Sequence, residues 1–236
     1  MTLASSWNHY LGVLRAELPT LARSITALAR ESVLTALDRE AHPASRKNLL
    51  ALAHLLRPES TAFADALTNA LRRELHDIES ASVRDPSKPP TVGHRLPGRH
   101  VELAGVIELI EATARWELRE LQALCASSRR AHSIRPESNP LRPEACARAL
   151  LTTLEESGLD DEACALGLRV NGLSLAATLR EFYAQHCRLL RRSGLPVQRS
   201  RTKVPRIGAP DDRRRVLRSV VERPTARAGR RDPGSA

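Results

Sequence analysis

The stretch LAGVIELIEATARWELRELQALC, residues 103–125, carries the strongest helical pattern in this chain. Its apolar side chains recur at alternating spacings of three and four residues, which places them along one face of an α-helix. The residues on this face are Leu103, Ile107, Ile110, Ala114, Leu118, Leu121 and Cys125. The pattern therefore predicts one helix of more than twenty residues, long enough to be the centre of a helical bundle.

The chain on both sides of this stretch repeats the pattern in shorter segments. Leucine and alanine dominate the apolar residues, the chain has only six Phe, Trp and Tyr residues, and no alternating strand pattern of useful length occurs. Such a composition favours helix over sheet. We therefore predict an all-α domain over residues 3–195, a helical bundle of about six to eight helices with a long central helix.

Prolines and glycines predict the interruptions in this domain. Two internal loops are expected, at residues 80–98 and 131–142, because both ranges contain clustered turn residues. We expect Pro19 to separate a short first helix from the next one, since proline is tolerated in the first turn of a helix. Gly167 and the pair Asn171-Gly172 predict a break or kink before the last helix.

Residues 188–236 carry almost all of the excess positive charge. This stretch holds fifteen Arg and Lys against four Asp and Glu, whereas residues 1–187 hold 22 basic and 23 acidic residues. Beyond Pro196 the arginines are set among Pro, Gly, Ser, Thr and Ala, a composition that buries too little apolar surface to fold. We therefore predict a disordered, Arg-rich tail over residues 196–236.

This tail is the candidate binding segment for an anionic partner. Its cations can neutralise the phosphates of nucleic acid or lie against an anionic membrane, but no aromatic residue is present there for base stacking. The candidate residues are Arg199, Arg201, Lys203, Arg206, Arg213, Arg214, Arg215 and Arg218. The alternative is a solvated extension that binds nothing.

No pattern of catalytic, cofactor-binding or metal-binding residues occurs in the chain. It contains neither a Walker P-loop nor a G-x-G-x-x-G motif. The cysteines lack the close-spaced pairs that structural zinc prefers, and we expect them to pack as small apolar side chains. They are Cys125, Cys146, Cys164 and Cys187. We therefore expect no cofactor and no metal, and predict that the protein is not an enzyme.

We expect His186 and the glutamates of residues 108–120 to have structural roles. His186 lies on the apolar face of the last helix beside Tyr183, and we expect a hydrogen-bonded core histidine, with a catalytic role as the alternative. The glutamates of residues 108–120 are expected to form a solvated face with arginines three or four positions away. The Glu-x-x-His motif of di-iron bundles is missing from the chain.

Several motifs resemble a known bacterial family. The turn Asn139-Pro140-Leu141-Arg142-Pro143 with Cys146, and the helix end from Tyr183 to Ser193-Gly194-Leu195-Pro196, are similar to the DUF1631 family. Its members have unknown function and are often mislabelled thymidine phosphorylase. The resemblance covers about residues 10–196 and only the N-terminal part of the much longer family proteins. It implies no catalytic residues for this chain, and nothing here supplies the phosphate site of a phosphorylase.

The sequence also indicates a location and a set of partners. It contains neither an apolar run of about 18 residues nor a secretory leader, and four widely spaced cysteines suit a reduced compartment. We therefore expect a cytoplasmic, non-catalytic interaction or regulatory module that binds a protein partner through its helix faces. A nucleic-acid-associated protein that binds through its tail is the alternative, and attachment to an anionic membrane is a third.

Overall fold

The computed structural model describes residues 3–81, 97–128 and 139–192, and within these ranges it contains seven α-helices and no strand. The all-α prediction is thus confirmed. The helices are α1 (Leu3–Arg39), α2 (Pro43–Leu55), α3 (Ala62–Ala81), α4 (Pro97–Thr113), α5 (Arg115–Ser128), α6 (Pro143–Glu156) and α7 (Asp161–Arg192). The predicted tail, residues 196–236, lies outside the described residues, as do most of the two predicted loops.

The helix around which the others pack is α7, which contacts α1, α2, α4, α5 and α6. Fifteen of its residues are buried. The core that it shares with the other helices consists mainly of leucine and alanine, as the composition predicts. In the described ranges, no helix combines the length and the apolar character needed to cross a lipid bilayer.

The predicted long helix at residues 103–125 is divided in the structure. A turn at Ala114 separates α4 from α5. The amide of Ala114 still donates to the Ile110 carbonyl at 2.9 Å, and the Leu118 amide donates to the Ala114 carbonyl at 2.8 Å. The apolar face therefore continues across the turn, and no proline or glycine marks it. The long central helix is α7 instead.

The predicted break at Pro19 is wrong, because α1 continues through this residue. Proline removes one backbone hydrogen bond inside a helix and crowds the preceding turn. On either side of Pro19, Leu14 and Leu18, then Leu21 and Ala22, are all buried. Burial of one continuous face holds the two halves of the helix in line.

The predicted break at Gly167 and Asn171-Gly172 is also wrong, since α7 runs without interruption through both. A Cβ atom at Gly172 would lie 3.2 Å from Val106 Cγ2, and one at Gly167 would lie 3.1 Å from Leu154 Cδ1. The glycines therefore allow α4 and α6 to approach α7 closely. This packing outweighs the cost of about 1 kcal/mol that glycine carries inside a helix.

Sequence signals between α6 and α7 predict this connection correctly. Gly158 follows the C-terminal end of α6 with φ at 78°, a left-handed conformation in which glycine is favoured. The Asp160 side chain then accepts a hydrogen bond from the Ala163 amide at 2.8 Å, which caps the start of α7. The connection of only a few residues makes α6 and α7 neighbours in the bundle.

Candidate functional site

The eight tail cations that the sequence suggests for an anionic partner, from Arg199 to Arg218, lie outside the described residues. Their role therefore remains a prediction. The candidate site within the described residues is a groove on the bundle surface.

The groove has a volume of about 630 Å³ and lies between α1 and α7. These helices run antiparallel, because Ser32 contacts Ser174 towards one end and Tyr10 packs against His186 towards the other. Helix α1 contributes residues at three- and four-residue spacing from Glu17 to Leu28. The lining residues are Glu17, Thr20, Leu21, Ser24, Ala27, Leu28, Thr178, Glu181, Phe182 and Gln185.

Apolar and acidic groups together form this lining. Leu21, Leu28 and Phe182 supply the larger apolar side chains, and Glu17 and Glu181 supply two carboxylates. Among the described residues that line the groove, none is arginine or lysine. The surface therefore suits a ligand with both apolar and cationic groups.

Arg23 stands at the edge of the groove. Its Nη2 donates to Thr20 Oγ1 at 3.1 Å, and both side chains are exposed. The guanidinium therefore offsets part of the negative potential of the two carboxylates. Because the contact is exposed, water and salt screen that effect.

A buried histidine lies behind the groove, next to Glu17. His186 is 1% exposed, and its ring centroid lies 4.1 Å from that of Phe182 and 5.6 Å from that of Tyr10. The Glu17 Oε2 atom lies 3.1 Å from His186 Nε2, but neither ring nitrogen has a hydrogen-bond partner of good geometry among the described residues. The predicted burial is confirmed, whereas the predicted hydrogen bond is wrong.

Burial lowers the pKa of His186 to about 4, because the interior disfavours the imidazolium cation. The imidazole is therefore neutral at pH 7 and does not neutralise the carboxylate of Glu17. Gln185 Nε2 donates to that carboxylate at 3.4 Å. The negative charge of Glu17 thus remains available to a ligand in the groove.

His186 and Cys187 do not form a catalytic pair. The histidine packs against α1, whereas the Cys187 thiol faces the Glu117 carbonyl oxygen of α5 at 3.5 Å. Burial also raises the pKa of Cys187 to about 12. The thiol is therefore protonated at neutral pH, and the reactive thiolate is not populated.

All four cysteines are buried and outside any disulfide, as the packing interpretation predicts. Burial raises the pKa of Cys146 to about 12 and that of Cys164 to about 11. Within the described part of the chain, no group of three or more His, Cys, Asp or Glu side chains is arranged to hold a metal ion. These thiols contribute to the core.

The glutamates of α4 and α5 do not all pair with arginines of their own helix, as the prediction of a solvated face required. Arg180 Nε pairs with Glu117 Oε1 of α5 at 3.1 Å, and Arg191 of α7 pairs with Glu120. These ion pairs join two helices rather than two turns of one helix. They support the parallel packing of α5 on α7, although exposed pairs of this kind contribute little each.

Glu108 and Glu111 occupy a second, smaller groove of about 420 Å³ on α4 and α5. Arg115 and Arg119 line the same groove, at spacings of four and eight residues from Glu111. Its charges therefore have both signs, in contrast to the lining of the α1–α7 groove. We treat the α1–α7 groove as the candidate site for this reason.

Comparisons with known proteins give no match to a family model, to a curated protein or to a solved structure. The family resemblance of the sequence motifs therefore stays a prediction.

The sequence patterns also did not predict the α1–α7 groove. Glu17 and Glu181 lie at opposite ends of the domain sequence, and only the antiparallel packing of α1 on α7 brings them to one surface.

Proposed function

We propose that this chain is a non-catalytic, cytoplasmic interaction module that binds a basic amphipathic helix of a protein partner in the α1–α7 groove. The observation that carries the proposal is the lining of this groove. It joins apolar side chains to two carboxylates, and the part of the chain that the structure describes contributes no arginine or lysine to it, in a chain of net charge +10. Recognition of an amphipathic helix by an apolar groove is a recurrent mode of peptide binding.

The two kinds of lining group would have different roles. The exposed Ala27 and Leu28 would contact the apolar face of the ligand above the buried Leu21 and Phe182, and this burial would contribute to the affinity in proportion to its area. Glu17 and Glu181 would accept hydrogen bonds from arginine, whose planar guanidinium suits a carboxylate. Exposed ion pairs add about 1 kcal/mol or less each. The carboxylates would therefore select a basic ligand more than they would tighten binding.

The buried thiols support the cytoplasmic and non-catalytic parts of the proposal. None of the four cysteines forms a disulfide in the described residues, which fits a compartment that keeps thiols reduced. The raised pKa values of Cys146 and Cys187 suppress the thiolate that nucleophilic catalysis requires.

The test measures binding of a defined probe, a fluorescein-labelled helical peptide of leucines at three- and four-residue spacing with arginines between them. The protein is the full chain in which the eight cations from Arg199 to Arg218 are replaced by Gln, here called the tail-neutral chain. This background removes eight of the cations in residues 196–236, which would repel a basic peptide. Fluorescence anisotropy gives the Kd, and circular dichroism checks that each variant is folded.

We expect the tail-neutral chain to bind the peptide, and Glu17→Gln with Glu181→Gln to raise the Kd by about tenfold, which corresponds to about 1.4 kcal/mol. The matched control is Glu59→Gln with Glu162→Gln, which removes the same charge from exposed positions outside the groove. The control should leave the Kd unchanged. Absence of binding, or equal weakening by both pairs of substitutions, would contradict the proposal.

The charge of residues 188–236 favours a second function, binding to nucleic acid. Fifteen basic residues lie in this stretch against four acidic ones, and such a segment binds phosphates with an affinity that falls steeply with salt. We expect the wild-type chain to bind a labelled 20-base-pair DNA duplex at low salt and the tail-neutral chain to lose that binding. Equal binding by both chains would exclude this function.

A further inference from the structure

We propose that the second groove, on α4 and α5, is the contact surface for a second copy of this chain, which packs against it in the antiparallel direction. The exposed residues Glu108, Glu111, Ala112, Arg115 and Arg119 of this groove are here called the α4–α5 face. The inference goes beyond the proposed function and does not depend on it, because the α1–α7 groove is lined by other residues.

The charged side chains of the α4–α5 face lack the partners that neighbouring charges have. Three other glutamates of α4 and α5 pair with arginines of α7, namely Glu102 with Arg169, Glu117 with Arg180 and Glu120 with Arg191. Within the described ranges, Glu108, Glu111, Arg115 and Arg119 form no ion pair. Two carboxylates and two guanidiniums on one exposed surface are therefore available to a partner.

The order of these charges along the chain makes the face complementary to itself. The carboxylates of Glu108 and Glu111 come first, and the guanidiniums of Arg115 and Arg119 follow. In a symmetric dimer the same patch lies on both sides of the contact. A parallel second copy would place like charges opposite each other, whereas an antiparallel copy places each carboxylate opposite a guanidinium.

Both kinds of pair require the same alignment of the two copies. The midpoint between Glu108 and Arg119 falls between residues 113 and 114, and the midpoint between Glu111 and Arg115 falls at residue 113. A single two-fold axis beside the turn at Ala114 therefore forms both pairs. Because the axis repeats each pair, the contact contains four ion pairs between the copies.

Apolar groups lie near this axis and add a contact that does not depend on charge. Ala112 is exposed, and its short side chain allows the second copy to approach closely. Trp116 follows one turn later and is 76% exposed, and the antiparallel alignment brings it close to Ala112 of the second copy. Aromatic side chains are enriched at protein interfaces. Burial of Trp116 would thus supplement exposed ion pairs that contribute little each.

The expected dimer is weak enough to dissociate. A contact between two pairs of short helices falls at the low end of specific interfaces, near about 1,200 Å² in total. Each chain also carries a net charge of +10, so the two copies repel each other at long range. We therefore expect a Kd of about 10 μM, which corresponds to about −7 kcal/mol.

Sedimentation equilibrium of the full chain measures this Kd, and two charge-reversed variants locate the contact. Glu108→Arg with Glu111→Arg, the cationic-face variant, leaves four guanidiniums on the α4–α5 face. Arg115→Glu with Arg119→Glu, the anionic-face variant, leaves four carboxylates there. Circular dichroism checks that both variants are folded.

Each variant alone should have a dimer Kd raised by about a hundredfold or more, because like charges then face each other. An equimolar mixture of the two should form a heterodimer, since four guanidiniums then face four carboxylates. The matched control is Glu59→Arg with Glu162→Arg, which makes the same charge change as the cationic-face variant at exposed positions outside the face. Its Kd should change by no more than about threefold, because solvent and salt screen distant charges.

Three results would overturn the proposal. The wild type could stay monomeric well above about 10 μM, which would leave this face to a different protein. A dimer that persists in both charge-reversed variants would form through another surface. Folded variants that do not associate when mixed would show that carboxylates and guanidiniums do not lie opposite each other.

Two cysteine variants distinguish the antiparallel alignment from a parallel one. Ala112→Cys places a thiol beside the two-fold axis, about 4 Å along the helix from its copy, whereas Ala104→Cys, also exposed on α4, lies about 28 Å from its copy. The native thiols are buried. With oxidised glutathione as the oxidant, Ala112→Cys should form a disulfide-linked dimer and Ala104→Cys should not. Equal cross-linking of both variants would contradict the antiparallel contact.

Discussion

The hydroxyl of Tyr183 in α7 donates a hydrogen bond to the carbonyl oxygen of Leu141 at 2.9 Å. The same carbonyl accepts from Asn139 Nδ2 at 2.9 Å, and Asn139 Oδ1 accepts from the Leu141 amide at 3.0 Å. All three residues are buried. This polar turn is therefore satisfied without water, and it fixes the entrance of α6 against α7.

Removal of either side chain from this turn should lower the free energy of unfolding, but by different amounts. Tyr183→Phe removes one hydrogen bond and should cost about 1 kcal/mol. Asn139→Ala leaves the buried Leu141 amide without its partner and should cost about 2–3 kcal/mol. Urea unfolding followed by circular dichroism measures both values. The account is wrong if Asn139→Ala is no more destabilising than Tyr183→Phe.

The buried His186 should make the stability depend on pH. Its pKa falls from an ordinary value of 6.5 to about 4 in the folded chain, so the unfolded chain takes up a proton that the folded chain does not. The free energy of unfolding should decrease as the pH falls from about 6.5 to about 4, by about 3 kcal/mol from this group. Above pH 6.5 both states hold a neutral imidazole and the effect disappears.

His186→Gln provides the comparison for this prediction, because glutamine does not titrate. Urea unfolding between pH 7.5 and pH 4 should show a steeper loss of stability in the wild type than in the variant. The other histidines and the carboxylates that do not contact His186 contribute equally to both curves, whereas Glu17 does contact it. Parallel curves would mean that His186 accepts a proton in the folded state as readily as in the unfolded one.

Glycines in two packed helices should respond differently to alanine. Outside the adjacent backbone of α4, a Cβ atom at Gly105 would meet no atom of the described residues within 4 Å, whereas one at Gly172 would lie 3.2 Å from Val106 Cγ2. Gly105→Ala should raise the free energy of unfolding by about 0.5–1 kcal/mol. Gly172→Ala should be less stable than Gly105→Ala by about 1 kcal/mol or more, because α4 must move. If both substitutions change the free energy of unfolding equally, in thermal or urea unfolding, the close approach of α4 to α7 does not contribute to stability.

Arg23 should oppose binding in the groove. It lies beside Thr20 at the groove edge, where it repels a basic ligand. Arg23→Gln in the tail-neutral chain should therefore lower the Kd of the labelled Leu/Arg peptide, by up to about threefold for an exposed charge. Anisotropy titrations at low and high salt measure this, and the difference should shrink as salt is added. A raised Kd at low salt would contradict an acidic binding surface.

Sequence periodicity predicts the class of the fold because leucines at three- and four-residue spacing require a helix to share one face. It does not predict where the long helices stop. Pro19 and Gly167 carry strong local signals for a break, but burial of their neighbours and the close contact with Leu154 keep both helices continuous. At Ala114 the opposite occurs, since a turn forms without any local signal.

The candidate site is less predictable than the fold. Glu17 and Phe182 reach one groove through the pairing of α1 with α7, and no local pattern encodes that pairing. The charge of the tail, in contrast, is plain in the sequence.

Amide chemical shifts of the ¹⁵N-labelled tail-neutral chain, recorded with and without the Leu/Arg peptide, test the groove most directly. The account predicts shift changes concentrated in residues 17–28 of α1 and 178–185 of α7. Changes centred on the second groove at residues 108–122, or no changes at saturating peptide, would contradict it.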